Sequence, residues 1–108
     1  MLQQFFQTMG VQPEEAPCQA ADGLIADAQR MIGMAQGSAL DAVALALAQV
    51  NEHFEITKYG TLVAWARELG RQDVEGTLQQ ILDQEKQTDQ KLTQIAESMV
   101  NRRAQQAA

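Results

Sequence analysis

NEHFEITKYGTLVAWAREL, residues 51–69, reads as a helix that carries acids on its apolar side. Residues three and four apart share a helix face. Here one face runs Leu45, Ala48, Glu52, Glu55, Tyr59, Leu62, Ala66, Leu69. Carboxylates within a core stripe are costly unless they are paired, protonated or bound to a cation. The stretch therefore calls for a metal or a partner charge.

Upstream, Gln36 and Gly37 interrupt the pattern, and Ser38 with Asp41 three residues on resembles a capping box. Downstream, Gly70 suits a helix end. A helix over 39–69 follows, about 45 Å long at 1.5 Å per residue. Asp73 is placed to cap a second long helix over 73–102, with the stripe Val74, Leu78, Ile81, Glu85, Thr88, Leu92, Ile95, Met99. The connection at Gly70 to Gln72 is so short that the two helices must form an antiparallel hairpin.

The remaining chain is subsidiary to that hairpin. Leu2, Phe5, Phe6 and Met9 have helical spacing that stops at Gly10, so residues 1–10 read as the last turns of a helix. Pro13 and Pro17 make 11–17 a loop. Residues 18–36 form a short helix with Leu24, Ile25, Ala28, Met31, Ile32 and Ala35 inward and Pro17 in its first turn. The tail 103–108, RRAQQAA from Arg102 onward, is expected to fray.

Composition agrees. At 108 residues the chain allows one domain. Its 45% hydrophobic residues are mostly Ala, Leu and Met, with only 5% aromatics, which favours an all-α protein. A net charge of −6 lacks the basic footprint that nucleic acid requires. The longest apolar run, Ala42 to Ala48, is far short of the roughly 20 residues of a membrane span. The single cysteine, Cys18, and the lack of a cationic-then-apolar leader point to the cytoplasm. No Gly-rich phosphate loop, CxxC pair or Ser-His-Asp order supports a nucleotide-binding or hydrolase reading.

The acids are the remaining signal. Counted from the turn near Arg71, Glu55 lies 16 residues back and Glu85 lies 14 forward. They can therefore face each other across the hairpin, with Asp89 near the level of Glu52. His53, the only histidine, falls one position off the acidic stripe. Clustered carboxylates on facing helices are how bundles hold iron or manganese pairs. The same acids also suit a wet seam on which Glu52, Glu55 and Glu85 pair with Lys58, Lys86 or Lys91 and Tyr59 donates a hydrogen bond. Trp65 reads as a core or interface anchor, and the five methionines as packing residues.

The segments EHFEITKYGTLVAWARELG and LQQILDQEKQTDQKL resemble the YciF-like bacterial proteins, a ferritin-like family of unknown function. The matching residues are Glu52, His53, Glu55, Ile56, Tyr59, Gly60, Thr61, Leu62, Trp65, Ala66, Leu69 and Gly70, then Glu85, Lys86, Asp89 and Leu92. CQAADGLIADAQRMI is similar to the family's crossover helix. The resemblance implies a ferritin-like four-helix bundle with an extra crossover helix and a dinuclear metal site. Carried over by position, Glu55 and Glu85 are its ligands, with Glu52, His53 and Asp89 as further candidates and Tyr59 beside them. It also implies a link to bacterial stress responses.

The chain departs from that pattern. The first two long helices of the family are expected to be missing, with residues 1–9 the stub of the second. The Glu-x-x-His motif is absent at Glu85, which is followed three residues later by Thr88. A lone hairpin buries too little apolar surface to hold its backbone in order. A homodimer of hairpins is therefore expected to complete the bundle, bringing Glu55 and Glu85 of each copy to the two-fold axis. The functional expectation is a stress-associated protein with iron or manganese bound by these carboxylates. Oxidase or peroxidase chemistry requires the completed site. The alternative is a non-enzymatic helical oligomerisation module with vestigial acids.

Overall fold

At Gly70 the chain takes φ 67°, a left-handed conformation that glycine adopts without strain. The Gly70 N–H donates to Arg67 O (3.1 Å) and the Arg71 N–H to Ala66 O (2.8 Å), closing the last carbonyls of the preceding helix. The same motif ends the first helix, where Gly10 at φ 68° donates to Gln7 O and Val11 to Phe6 O. Local chemistry at two glycines thus sets where both helices stop.

The computed structural model describes residues 1–107. It contains α1 (Leu2–Met9), α2 (Gln19–Met34), α3 (Gly37–Glu68), α4 (Gln72–Ile95), a π-helical turn (Ala96–Val100) and α5 (Asn101–Ala107). Among the described residues there is no strand, so the protein is all-α as the composition implies. α4, the π turn and α5 run on without a break and lie antiparallel to α3. α2 packs along α3, and α1 reaches α4 near the turn. No described helix is long and apolar enough to cross a membrane.

Several boundaries differ from those expected. α3 starts at Gly37 with Gln36 in the cap position, and Ser38 makes no capping bond. α4 starts at Gln72, one residue before Asp73; Asp73 instead accepts two hydrogen bonds from the Arg71 guanidinium (2.9 and 2.6 Å). That bond holds the Asp73 carboxyl below its ordinary range. Cys18 occupies the N-cap position of α2 without a side-chain capping bond, which leaves Pro17 outside the first turn. The helix continues past Arg102 through Ala107, with Ala108 outside the described residues.

The inward faces agree only in part with those expected: Ala66 of α3 and Val74, Leu78 and Ile81 of α4 are buried. The core is Val63 and Ala66 of α3 with Val74, Leu78 and Leu82 of α4, and Phe5, Ile56 and Tyr59 pack against it. Leu62 and Leu69, expected inward, are exposed, as are Ile25, Ile32, Ile95 and Met99. Thr88 also points to solvent. Contact between only two helices instead draws in Val63 and Leu82, one position round.

Candidate metal centre

The site lies near mid-length of the hairpin, where α3 presents Glu52, Glu55 and Tyr59 and α4 presents Glu85 and Asp89. All of these are half-buried. The helical backbone fixes this placement: Glu52, Glu55 and Tyr59 share one side of α3, and Glu85 and Asp89 are one turn apart on α4.

Glu52 is the centre of the cluster. Its Oε2 is buried, and no N–H or O–H of another residue reaches it. The group placed to share a proton with it is the Glu85 carboxyl. That shared hydrogen bond, with burial and the charges of Glu85, Asp89 and Glu55, pushes the Glu52 carboxyl from 4.5 up to about 7. Glu52 lies beside Glu85 across the hairpin, and the charge of Glu55 acts on both Glu52 and Tyr59. Tyr59 is raised above its ordinary value by burial first, and then by the charges of Glu55 and Glu85.

His53 points outward but is joined to the edge of the cluster. Its Nδ1 lies 2.9 Å from Gln49 O and 3.3 Å from Asp89 Oδ1, so one N–H is shared between the two acceptors. Gln49, which the sequence did not single out, donates to Thr93 Oγ1 (2.7 Å) and more weakly to Asp89 Oδ1 (3.5 Å). Gln49 is one turn before His53 and Thr93 one turn after Asp89, and that register was the available signal. Together they orient Asp89.

The lysines do not neutralise the cluster. Among the described residues the ion pairs are Asp27–Arg30, His53–Asp89, Arg67–Glu75 and Arg71–Asp73. Lys58 sits over the Phe54 ring, 5.2 Å from its centre. The wet seam with paired lysines is therefore not formed. An orphaned carboxylate oxygen among further carboxylates is a hard-oxygen environment suited to a divalent cation. One chain alone is insufficient, however: among the described residues no three His, Cys, Asp or Glu side chains are grouped to hold a metal ion.

The sequence profile of a domain of unknown function (DUF892) matches residues 1–105. The chain belongs to this family. Family relatives include Protein YciF of Escherichia coli (strain K12), which is 40% identical over 92 residues, covering 84% of this chain and 55% of YciF. The crystal structure of the E. coli stress protein YciF superposes with a TM-score of 0.82 at 34% identity, covering 93% of this chain and 64% of that one. YcfI from Rhodopseudomonas palustris gives 0.80 at 43% identity, over 83% of this chain and 58% of that one. The chain thus spans a little over half the length of these relatives, and the helical arrangement seen here is that of the corresponding part of the family fold.

Proposed function

We propose that this is a stress-associated, ferritin-like protein that binds iron or manganese through the carboxylates of a self-assembled helical bundle. The observation that carries the reading is the buried, donor-less Oε2 of Glu52 beside Glu85, with Glu55 and Asp89 close enough to raise its affinity for a proton. A carboxyl that shares a hydrogen bond with a second carboxyl and lies among further negative charges also attracts a divalent cation. Glu52, Glu55 and Glu85, drawn from two copies of the chain, would hold the metal, with Asp89 and its His53 and Gln49 partners at the edge. A bound iron or manganese pair supplies redox chemistry toward oxygen or peroxide. The link to stress rests on the description of E. coli YciF as a stress protein.

A second copy of the chain supplies the remaining carboxylates, because one copy does not group three ligands. That same fact favours the second reading, a helical oligomerisation module without metal. Titration of Fe(II) under anaerobic conditions, or of Mn(II), with thermal unfolding as readout, separates the two. Binding to the folded state raises the midpoint in proportion to RT ln(1 + [L]/Kd). The metal reading predicts a rise that disappears in E55A/E85A. No rise at millimolar metal, or the same rise in that variant, leaves the module.

A further inference from the structure

At the end of α1 a sulfur meets a cation. Arg71 Nη2 donates a hydrogen bond to the Met9 Sδ at 3.4 Å, across 62 residues of sequence. The guanidinium is not free to wander. Its Nε and Nη2 donate to the two Asp73 carboxylate oxygens at 2.9 and 2.6 Å, and the Arg71 N–H is tied to Ala66 O. A forked pair of this kind holds the guanidinium plane in place. One N–H of Nη2 serves Asp73 and the other is turned to Met9.

α1 is otherwise lightly held. None of its residues is buried, and Phe5 packs against the hairpin core. Phe5 and Met9 are four residues apart and so share one helix face. The docking of α1 beside the turn thus joins one apolar contact, at Phe5, to one polar contact, at Met9. The polar contact is the weaker by chemistry, since a thioether sulfur is a poor acceptor.

Oxidation changes that acceptor. A sulfoxide carries a polar oxygen on the same flexible side chain, and inside an apolar core the change disrupts packing. Met9 is 36% exposed and lies against a charged donor, so it has little packing to lose and a partner already in place. With Nη2 3.4 Å from the sulfur, rotation of the side chain brings the new oxygen to an ordinary N–H···O distance of about 2.9 Å. A hydrogen bond from a charged donor to that oxygen is stronger than one to sulfur.

We infer that Met9 is an oxidation site whose sulfoxide is captured by Arg71, so that hydrogen peroxide tightens the docking of α1 on the hairpin. The Met9 sulfur lone pair attacks one peroxide oxygen, and the O–O bond breaks as the S–O bond forms. Sulfur loses two electrons and the peroxide gains them. The departing hydroxide takes the proton from the transferred oxygen, which leaves sulfoxide and water. Arg71 is 14 residues, about 21 Å at 1.5 Å per residue, from Glu85, so this latch is independent of the carboxylate cluster.

The test uses the full chain carrying M31L, M34L and M99L, treated with hydrogen peroxide, with M9L in the same background as the control for Met1. Peptide mass spectrometry scores Met9 sulfoxide, and amide hydrogen exchange reads the α1 peptide. The latch predicts exchange in α1 slower by about tenfold after oxidation, with no slowing in the M9L control or in Arg71→Gln. It also predicts that Met9→Gln, whose amide oxygen is a comparable acceptor, slows exchange without peroxide. Faster or unchanged exchange in α1 on oxidation overturns the inference, as does equal slowing in Arg71→Gln. So does a Met9 left unoxidised in the wild-type chain under conditions that oxidise Met34, which is 75% exposed.

Discussion

Replacing Glu52 with glutamine should stabilise the protein at pH 8 and do little at pH 5. The Glu52 carboxyl sits at about 7 in the folded chain against 4.5 ordinarily, chiefly because it shares a hydrogen bond with Glu85. The folded state therefore binds more protons than the unfolded state between these values, and stability falls as pH rises through that window. Glu52 costs nothing below about 4.5 and its full penalty above about 7. At about 1.4 kcal/mol per pH unit the penalty has a ceiling of about 3 kcal/mol; because Glu52 is only half-buried, solvent screening reduces it to about 1–2 kcal/mol. Glutamine mimics the protonated acid and donates its amide N–H to Glu85, so it removes the penalty. For a domain of this size that corresponds to a rise of roughly 5–10 °C in Tm. The assay is thermal unfolding by circular dichroism at pH 5 and pH 8, with EDTA present and protein concentration fixed. A gain equal at both pH values, or a loss at pH 8, refutes the account of Glu52.

Other outcomes follow from the same geometry. Leu78 is 3% exposed at the centre of the hairpin core, so Leu78→Ala should cost about 2–4 kcal/mol in urea unfolding. Gly70 at φ 67° closes α3, so Gly70→Ala should destabilise by about 1–2 kcal/mol although a Cβ there meets nothing within 4 Å. Trp65, the only tryptophan and 61% exposed in one chain, should shift its emission to the blue as protein concentration rises through the dimer dissociation constant, and Trp65→Ala should weaken association by about tenfold or more by analytical ultracentrifugation.

The hairpin was legible because its signals are local. The glycine at position 70 and the apolar periodicity on either side leave one topology for two long helices joined by so short a turn. The carboxylate cluster was legible for the same reason: counting along two antiparallel rods places Glu52, Glu55, Glu85 and Asp89 at one level. The partner of each acid was not. Rotation of a helix by one position depends on which neighbours it packs against, and that put Val63 rather than Leu62 in the core. The Gln49–Thr93 bond and the π turn at Ala96–Val100 likewise arise from side-chain fit between helices, which periodicity does not encode.

The crowding of the acids links metal binding to self-assembly. In a lone hairpin the hydrogen bond shared with Glu85, then burial and the repulsion from Glu85, Asp89 and Glu55, hold the Glu52 carboxyl at about 7. Doubling the acids in a dimer intensifies that repulsion unless cations enter, so metal binding and assembly should strengthen each other.

Free Mn(II), followed by the electron paramagnetic resonance of the aqueous ion, tests the metal site most directly. The account predicts that the wild-type protein at neutral pH depletes the free-ion signal saturably, and that E55A/E85A does not. A full free-ion signal at millimolar protein and metal, or equal depletion by wild type and variant, would contradict it.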